Sequence, residues 1–575
     1  MPRDNASSPG LTVTIGQYTS AGRKPANQDF IGALVPEGPT RLLKGITLAV
    51  ADGISSSPVS REAAETAVKS LLTDYYCTSD AWTVKIAASR VIAATNSWLH
   101  GMNRAARIGD MDRGHVCTLS ALILKGRHAH VLHVGDSRIW RISGGALEPL
   151  TEDHRVTLSS VESYLGRAMG ADAAVEIDYS RLNLAAGDVF VLTTDGVHDH
   201  WQPRQVTQVV RESETLDAAA EAIAIAALDA GSADNLSIQI VRVEALHAAD
   251  ASDILAESTS LSVPPLPRVG GVLDGFRILR QIHTNHRSHI FLAAAPDGEK
   301  VALKIPATDA KEDPAWLRRF LMEEWIARRL DSPHVLKAAE APGARSGLYV
   351  LNEYIEGQTL RQRMHDGGPP SLTEFRDIMS QAIRGVRAFH RKQMLHQDLR
   401  PENLMIDAEG TLKIIDFGAT RVAGVQEALP DLGEEILGTL QYTAPEYFSG
   451  DPVGPRSDQF SLGVIAYEML TGRLPYGADV GRVRNRRDVA RLKYRSACEG
   501  RNNVPDWIDA ALRRATHPDP TRRFAALSEF EAALREPGEP GSSRHRPLAE
   551  RHPVRFWQGV SAMLALACLA LLLTR

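Results

Sequence analysis

The chain has 575 residues, 43% of them hydrophobic and 23% charged, with a formal net charge of −5. That length exceeds what one hydrophobic core organises and predicts several folded units. The near-balanced charge excludes a nucleic-acid-binding footprint, and the hydrophobic content excludes a disordered chain. Four scattered cysteines, Cys77, Cys117, Cys498 and Cys568, form no CxxC pair and read as reduced thiols.

Met1 to Gly10 is polar and lacks the apolar stretch of a secretory signal. From there the chain predicts strands that end in carboxylates. Leu11–Gly16 alternates as a strand and is followed by Arg23, Lys24 and Asp29. Ile46–Ala51 ends in Asp52-Gly53, His130–Val134 runs into Gly135-Asp136-Ser137-Arg138, and Asp188–Thr194 ends in Asp195-Gly196. Ala233-Asp234-Asn235 precedes the strand Leu236–Val241. A single Asp-Gly after a strand is ordinarily a turn. Repeated in this order, such residues gather carboxylates at one sheet edge, where they repel unless cations lie between them. Oxygen donors of this kind suit Mg²⁺ or Mn²⁺, and the lack of His and Cys in the motifs disfavours zinc.

This series resembles the metal-dependent protein phosphatases of the PPM, or type 2C, family over roughly residues 12–243. The resemblance implies two antiparallel sheets packed face to face between helices, an αββα sandwich. It also implies a two-metal centre that activates water against phosphoserine or phosphothreonine. By the same resemblance Asp52 bridges both metals, the Gly53 carbonyl ligates one, and Asp195 and Asp234 complete the pair. Asp29 lies near the metal-bound waters, and Asp136 serves a third, weaker metal. The family's phosphate-gripping Arg falls on Lys24, with Arg23 beside it, and Lys holds a phosphate as a point charge rather than a bidentate fork. The usual Gly-Thr-Thr before a core strand reads His115-Val116-Cys117-Thr118, and the flap segment between His154 and Gly170 is short.

The composition breaks at Asp250–Gly271, rich in Ser, Pro and Gly, and again at Glu536–Pro553. Between them Gly275–Ile282 and Ser288–Ala294 read as a strand pair, followed by Val301-Ala302-Leu303-Lys304. A helical stretch, Ala315–Leu330, carries Glu323 and Glu324, and Leu348–Tyr354 reads as a further strand. Then come His396-Gln397-Asp398-Leu399-Arg400-Pro401-Glu402-Asn403 and Lys413-Ile414-Ile415-Asp416-Phe417-Gly418. Phosphoryl transfer from a nucleotide needs these parts: a carboxylate to orient the attacking hydroxyl, and an Asn and an Asp to hold magnesium.

The two stretches resemble the catalytic loop and magnesium-binding segment of the eukaryotic-type, or Hanks-type, Ser/Thr protein kinases, a likeness covering about residues 272–535. It implies a bilobal kinase fold that uses ATP and Mg²⁺. Asp398 is then the base, Arg400 stands for the phosphate-contacting Lys, and Asn403 and Asp416 are the Mg²⁺ ligands. Lys304 holds the α- and β-phosphates and pairs with Glu323, Glu324 being the fallback. Glu353 and Tyr354 follow the gatekeeper Asn352 at the adenine hinge. Thr439 contacts Asp398, Glu446 pairs with Arg523, and Asp458 anchors the catalytic loop. The phosphate-covering loop departs most, with His283, Asn285 and Ser288 where kinases place glycines. Gln397 replaces an Arg that binds a phosphorylated activation loop, and Ala419–Leu437 has Thr420 as its one hydroxyl residue. Both changes predict that phosphorylation of the central loop is not the on-switch.

Val554–Leu573 is long and apolar enough for a bilayer core, with Trp557 at its edge. Arg544, Arg546, Arg551 and Arg555 precede or border it, which predicts a single-pass anchor with both catalytic units in the cytoplasm. The expected organisation is α+β multidomain: a phosphatase unit 1–247, a linker 248–271, a kinase unit 272–535, a linker 536–553 and a transmembrane helix 554–573. The expected function is membrane-tethered addition and removal of phosphate on protein Ser and Thr. The alternative is an active phosphatase regulated by an ATP-binding pseudokinase. A ~20-residue flexible linker reaches ~25 Å, so self-phosphorylation and self-dephosphorylation are expected, with Ser252, Ser258, Thr259, Ser260 and Ser262 as targets.

Overall fold

The computed structural model describes residues 11–108, 113–157, 163–246, 261–284, 288–307, 314–341, 343–428, 441–477, 479–499 and 504–535. The first body opens with β1 (Thr12–Ser20), β2 (Phe30–Leu34), α1 (Gly38–Lys44), β3 (Ile46–Ala51), α2 (Ser60–Cys77) and α3 (Val84–Ala105). It continues with β4 (Leu119–Lys125), β5 (His128–Val134), β6 (Arg138–Ser143), β7 (Ala146–Pro149), β8 (Arg155–Thr157) and β9 (Ser163–Leu165). It closes with β10 (Asp178–Asn183), β11 (Val189–Thr193), α4 (Asp195–His198), α5 (Pro203–Glu212), α6 (Leu216–Asp229) and β12 (Leu236–Ala245). Two antiparallel five-stranded sheets result, in the orders β1-β12-β11-β6-β7 and β10-β5-β4-β3-β2.

The alternation of β3 explains the layering. Ile46, Leu48 and Val50 enter the core between the sheets, whereas Ala49 and Ala51 join the cluster that includes α2 and α3 residues. β12 divides its residues likewise: Leu236, Ile238 and Ile240 pack with α5 and α6, and Val241 and Val243 face the other sheet. The body is thus a helix–sheet–sheet–helix sandwich. Its strand ends carry the carboxylates to one edge.

The second body begins inside the expected linker. The Ser262 carbonyl accepts the Leu348 amide at 2.8 Å, and Val263 packs against the apolar cores, so residues 261–271 are docked on this body. Apolar contacts and backbone hydrogen bonds outweigh the Pro- and Ser-rich composition there. An antiparallel sheet follows, β13 (Val272–Leu273), β14 (Phe276–Thr284), β15 (Ser288–Ala294), β16 (Lys300–Pro306) and β17 (Val350–Glu353), with α7 (Pro314–Ala327) beside it. The remainder is mainly helical around α8 (Leu372–Arg391), α9 (Ala423–Ala428) and α10 (Pro455–Thr471). Phe375, Ile383 and Phe389 of α8 and Phe460, Ile465 and Leu470 of α10 lie in one buried cluster. Among the described residues no helix is long and apolar enough to cross a membrane, and the expected anchor, 554–573, lies outside them.

Candidate active sites

In the first body β3 delivers Asp52 to the sheet edge, where its amide is held by Thr118 Oγ1 at 2.9 Å. Gly53 is required by close packing: a Cβ there would come within 2.7 Å of the Ser60 carbonyl oxygen. Asp29 is buried and accepts Thr194 Oγ1 at 2.9 Å, and burial pushes its carboxyl up to about 6. Burial, then the charges of Asp29 and Asp195, raise Asp52 well above the usual carboxylate range. Asp195 is raised to about 6 by burial and then by Asp136 and Asp234. These carboxylates therefore share one electrostatic environment.

Two cations reach into it. Lys24 contacts Asp234 and Ser55, whereas Arg23 turns away to the Leu228 carbonyl. Of the two expected phosphate-gripping residues, only Lys24 faces the carboxylates. The other cation is Arg155 on β8, which donates to Asp136 Oδ2 at 2.7 Å and Asp195 Oδ2 at 2.9 Å. Sequence reasoning missed Arg155; its available signal was its place immediately after His154, at the start of the short flap segment. Among the described residues no three His, Cys, Asp or Glu side chains form a ready metal cage. The donor set nevertheless has the chemistry of a divalent-cation site. Asp29 Oδ1 and Asp195 Oδ1 are buried without a hydrogen-bond partner, and hard oxygen ligands suit Mg²⁺ or Mn²⁺.

In the second body β16 carries Lys304 into a cleft that also holds Glu323, Asp398 and Asp416. Lys304 Nζ lies 2.6 Å from Glu323 Oε2; the Glu323 side chain is buried and that of Lys304 largely so. Burial opposes the Lys304 charge, but Glu323 and Asp416 outweigh it and raise its pKa. Lys304 and the Gly418 amide hold Asp416 below its ordinary range despite burial. Glu324, the fallback partner, is bound instead by Arg328 and Arg345.

Asn403 Nδ2 donates to the Asp398 carbonyl at 2.8 Å and to Asp398 Oδ2 at 3.1 Å. The loop around them is fixed from below. Asp458, at the start of α10, accepts the His396 and Gln397 amides at 3.0 Å each and His390 Nε2 at 2.8 Å. Gln397 has a φ of 66°, a conformation that costs a non-glycine residue about 1–3 kcal/mol and persists only when its surroundings impose it. Arg400 pairs with Glu402 at 2.9 Å. The hinge side chains are engaged structurally: Glu353 with Lys413 at 2.5 Å, and the Tyr354 hydroxyl with Arg280 at 3.1 Å. A hinge contact would therefore fall to their backbone. His283 lies near the end of β14 and Ser288 begins β15, and Asn285 and Thr439 lie outside the described residues. Glu446 and Arg523 form a fully buried bidentate pair at 2.7 and 2.8 Å.

Comparison with known proteins matches these two bodies separately. Residues 278–535 match the protein kinase domain family, and residues 21–230 match protein phosphatase 2C. Serine/threonine-protein kinase PrkC of Bacillus subtilis is 30% identical over 271 residues, covering 46% of this chain and 41% of PrkC. Serine/threonine-protein kinase PknB of Mycobacterium tuberculosis is 31% identical over 248 residues, covering 41% of this chain and 38% of PknB. The chain thus spans about two fifths of the length of these curated relatives. Among solved structures, the Streptococcus agalactiae (S. agalactiae) serine/threonine phosphatase is 24% identical, with a TM-score of 0.36, covering 40% of this chain and 100% of that one. The chain joins a protein phosphatase 2C domain to a Hanks-type protein kinase domain.

Proposed function

We propose that this chain both adds phosphate to protein Ser and Thr, using ATP, and removes it by metal-dependent hydrolysis. The kinase reading rests chiefly on the Lys304–Glu323 pair at 2.6 Å facing Asp416 and Asp398 in one cleft. Lys304 holds the nucleotide phosphates, and Asp398 takes the proton of the incoming hydroxyl, oriented by Asn403. Asn403 and Asp416 would hold Mg²⁺, which supplies charge neutralisation of the phosphates. Arg400 contributes positive charge beside the transferred group.

In the phosphatase, Asp52, the Gly53 carbonyl, Asp195 and Asp234 would hold a pair of Mn²⁺ or Mg²⁺ ions, with Asp136 at a third position and Asp29 beside them. Such ions supply the charge that acidifies water and neutralises the phosphate. Lys24 and Arg155 occupy carboxylate oxygens of the same set, so in the loaded enzyme they move to the substrate phosphate. We place residues 554–573 in a membrane as a single-pass anchor, on their apolar length and the arginines before them.

The test uses the full chain with radiolabelled ATP, and a phosphothreonine peptide with Mn²⁺. Transfer should vanish in Asp398→Ala and Lys304→Ala, and hydrolysis in Asp52→Ala and Asp234→Ala. Nucleotide binding by wild type without any transfer refutes the kinase reading. Hydrolysis that survives both phosphatase substitutions refutes the metal assignment.

A further inference from the structure

The two bodies meet at a place where kinase control is ordinarily exercised. The segment after Phe417 pairs as Arg421–Val422 with Met394–Leu395, ahead of the catalytic loop, and then forms α9. A loop of the phosphatase domain clasps this junction from outside. The Gly424 amide donates to the Ala81 carbonyl at 2.9 Å, and the Thr83 amide donates to Gln393 Oε1 at 2.8 Å. Lys125, at the end of β4, donates to the Gly424 carbonyl at 2.8 Å and lies 3.2 Å from Glu427 Oε2. The Lys125 side chain is 1% exposed and that of Glu427 7%. A lysine is taken out of water at such cost that it is buried only with a partner, and here Glu427 and the Gly424 carbonyl supply one from across the contact. Approach is tight as well: a Cβ on Gly424 would lie 2.6 Å from the Asp80 and Trp82 carbonyl oxygens. The same loop reaches the end of the helix that supplies Glu323, since Asp80 Oδ2 accepts Arg329 at 3.0 Å.

Within the kinase domain, residues 419–428 are tied by the two-residue pairing with Met394–Leu395 and by the Ala423 amide on the Gln393 carbonyl at 3.1 Å. Thr420, the one hydroxyl residue of Ala419–Leu437, has a buried Oγ1, and Gln397 brings no positive charge to receive a phosphate. We infer that the phosphatase domain is the ordering partner of the kinase activation segment. Its face at Asp80–Thr83 and Lys125 docks on residues 421–428 and the end of α7, and holds Lys304 against Glu323. This rests on the kinase reading above. Lys125 and Glu427 are positioning residues: they touch no substrate and act through α9. The phosphatase domain thus acts on the kinase by contact, independently of hydrolysis.

The test uses the full chain carrying Asp52→Asn, so that added phosphate persists, with myelin basic protein as acceptor. Lys125→Glu and Glu427→Lys each place like charges at the contact, and Gly424→Val wedges it open from the kinase side. Each should lower kcat about tenfold or more, as expected of coupling between sites, with KM for ATP little changed. Hydrogen exchange of amides 421–428 should quicken in each. The double variant Lys125→Glu/Glu427→Lys should regain most of the rate and the protection. Without Asp52→Asn, Lys125→Glu should hydrolyse p-nitrophenyl phosphate as wild type does, which excludes a misfolded phosphatase domain. Faster exchange in Glu427→Lys and Gly424→Val with unchanged or increased transfer overturns the inference while the kinase reading stands. Absence of transfer in the Asp52→Asn parent overturns the kinase reading, and the inference with it.

Discussion

Replacing Arg523 by Met should destabilise the kinase domain more than replacing Glu446 by Gln, and the structure supplies the reason. Arg523 makes two bonds to Glu446, and also donates to the carbonyls of His517 at 2.7 Å, Arg456 at 2.8 Å and Pro518 at 3.2 Å. Both side chains are within 1% of full burial. In Arg523→Met the carboxylate stays buried with Ser457 Oγ as its remaining donor, at 2.7 Å, and three carbonyls lose a donor. Breaking a buried pair in this way costs about 3–5 kcal/mol. In Glu446→Gln the guanidinium keeps its three carbonyls and an amide oxygen, so the loss is nearer about 2 kcal/mol, the scale of one charged hydrogen bond. Native-state hydrogen exchange of the α10 amides in the full chain reads these differences directly. A loss below about 1 kcal/mol in Arg523→Met, or equal losses in the two variants, refutes the reasoning, because the pair would then relax into water or solvate itself locally.

Three further outcomes are expected. Asp458→Ala releases the His396 and Gln397 amides and lets Gln397 leave its φ of 66°, so phosphotransfer should fall about 100-fold with ATP affinity kept, by isothermal titration. His198 is buried, and burial followed by the charge of Arg138 lowers its pKa to about 3. Its folded value lies below the unfolded one, so its stabilisation is present above about pH 6.5 and is lost as pH falls toward 3, by at most about 1.4 kcal/mol per unit. Denaturation of His198→Phe at several pH values should show a shallower acid slope than wild type; an identical slope removes the assignment. Arg155→Met frees Asp136 and Asp195 oxygens, so Mn²⁺ should bind several-fold tighter by calorimetry, and weaker binding would contradict that reading.

The sequence by itself determined the chemistry and most of the framework. The period-two pattern of Ile46–Ala51 sets one strand face against the other sheet, and the runs around Asp398 and Asp416 carry their chemistry within a few residues. The kinase resemblance assigns Glu323 rather than Glu324 to Lys304, and the geometry pairs the two. What depends on distant segments was not legible. Arg155 bridges Asp136 and Asp195 from 19 and 40 positions away, and Arg23 and Lys24 part company through a local turn of the backbone. Residues 261–271 look like a linker by composition, yet their few apolar side chains find a ready surface. The contact between Lys125 and Glu427 spans 302 positions, and nothing near either residue announces it. Local pattern fixes which face is apolar and which groups can react. Only the packed chain decides which charges are removed from water together, because desolvation depends on everything that surrounds them.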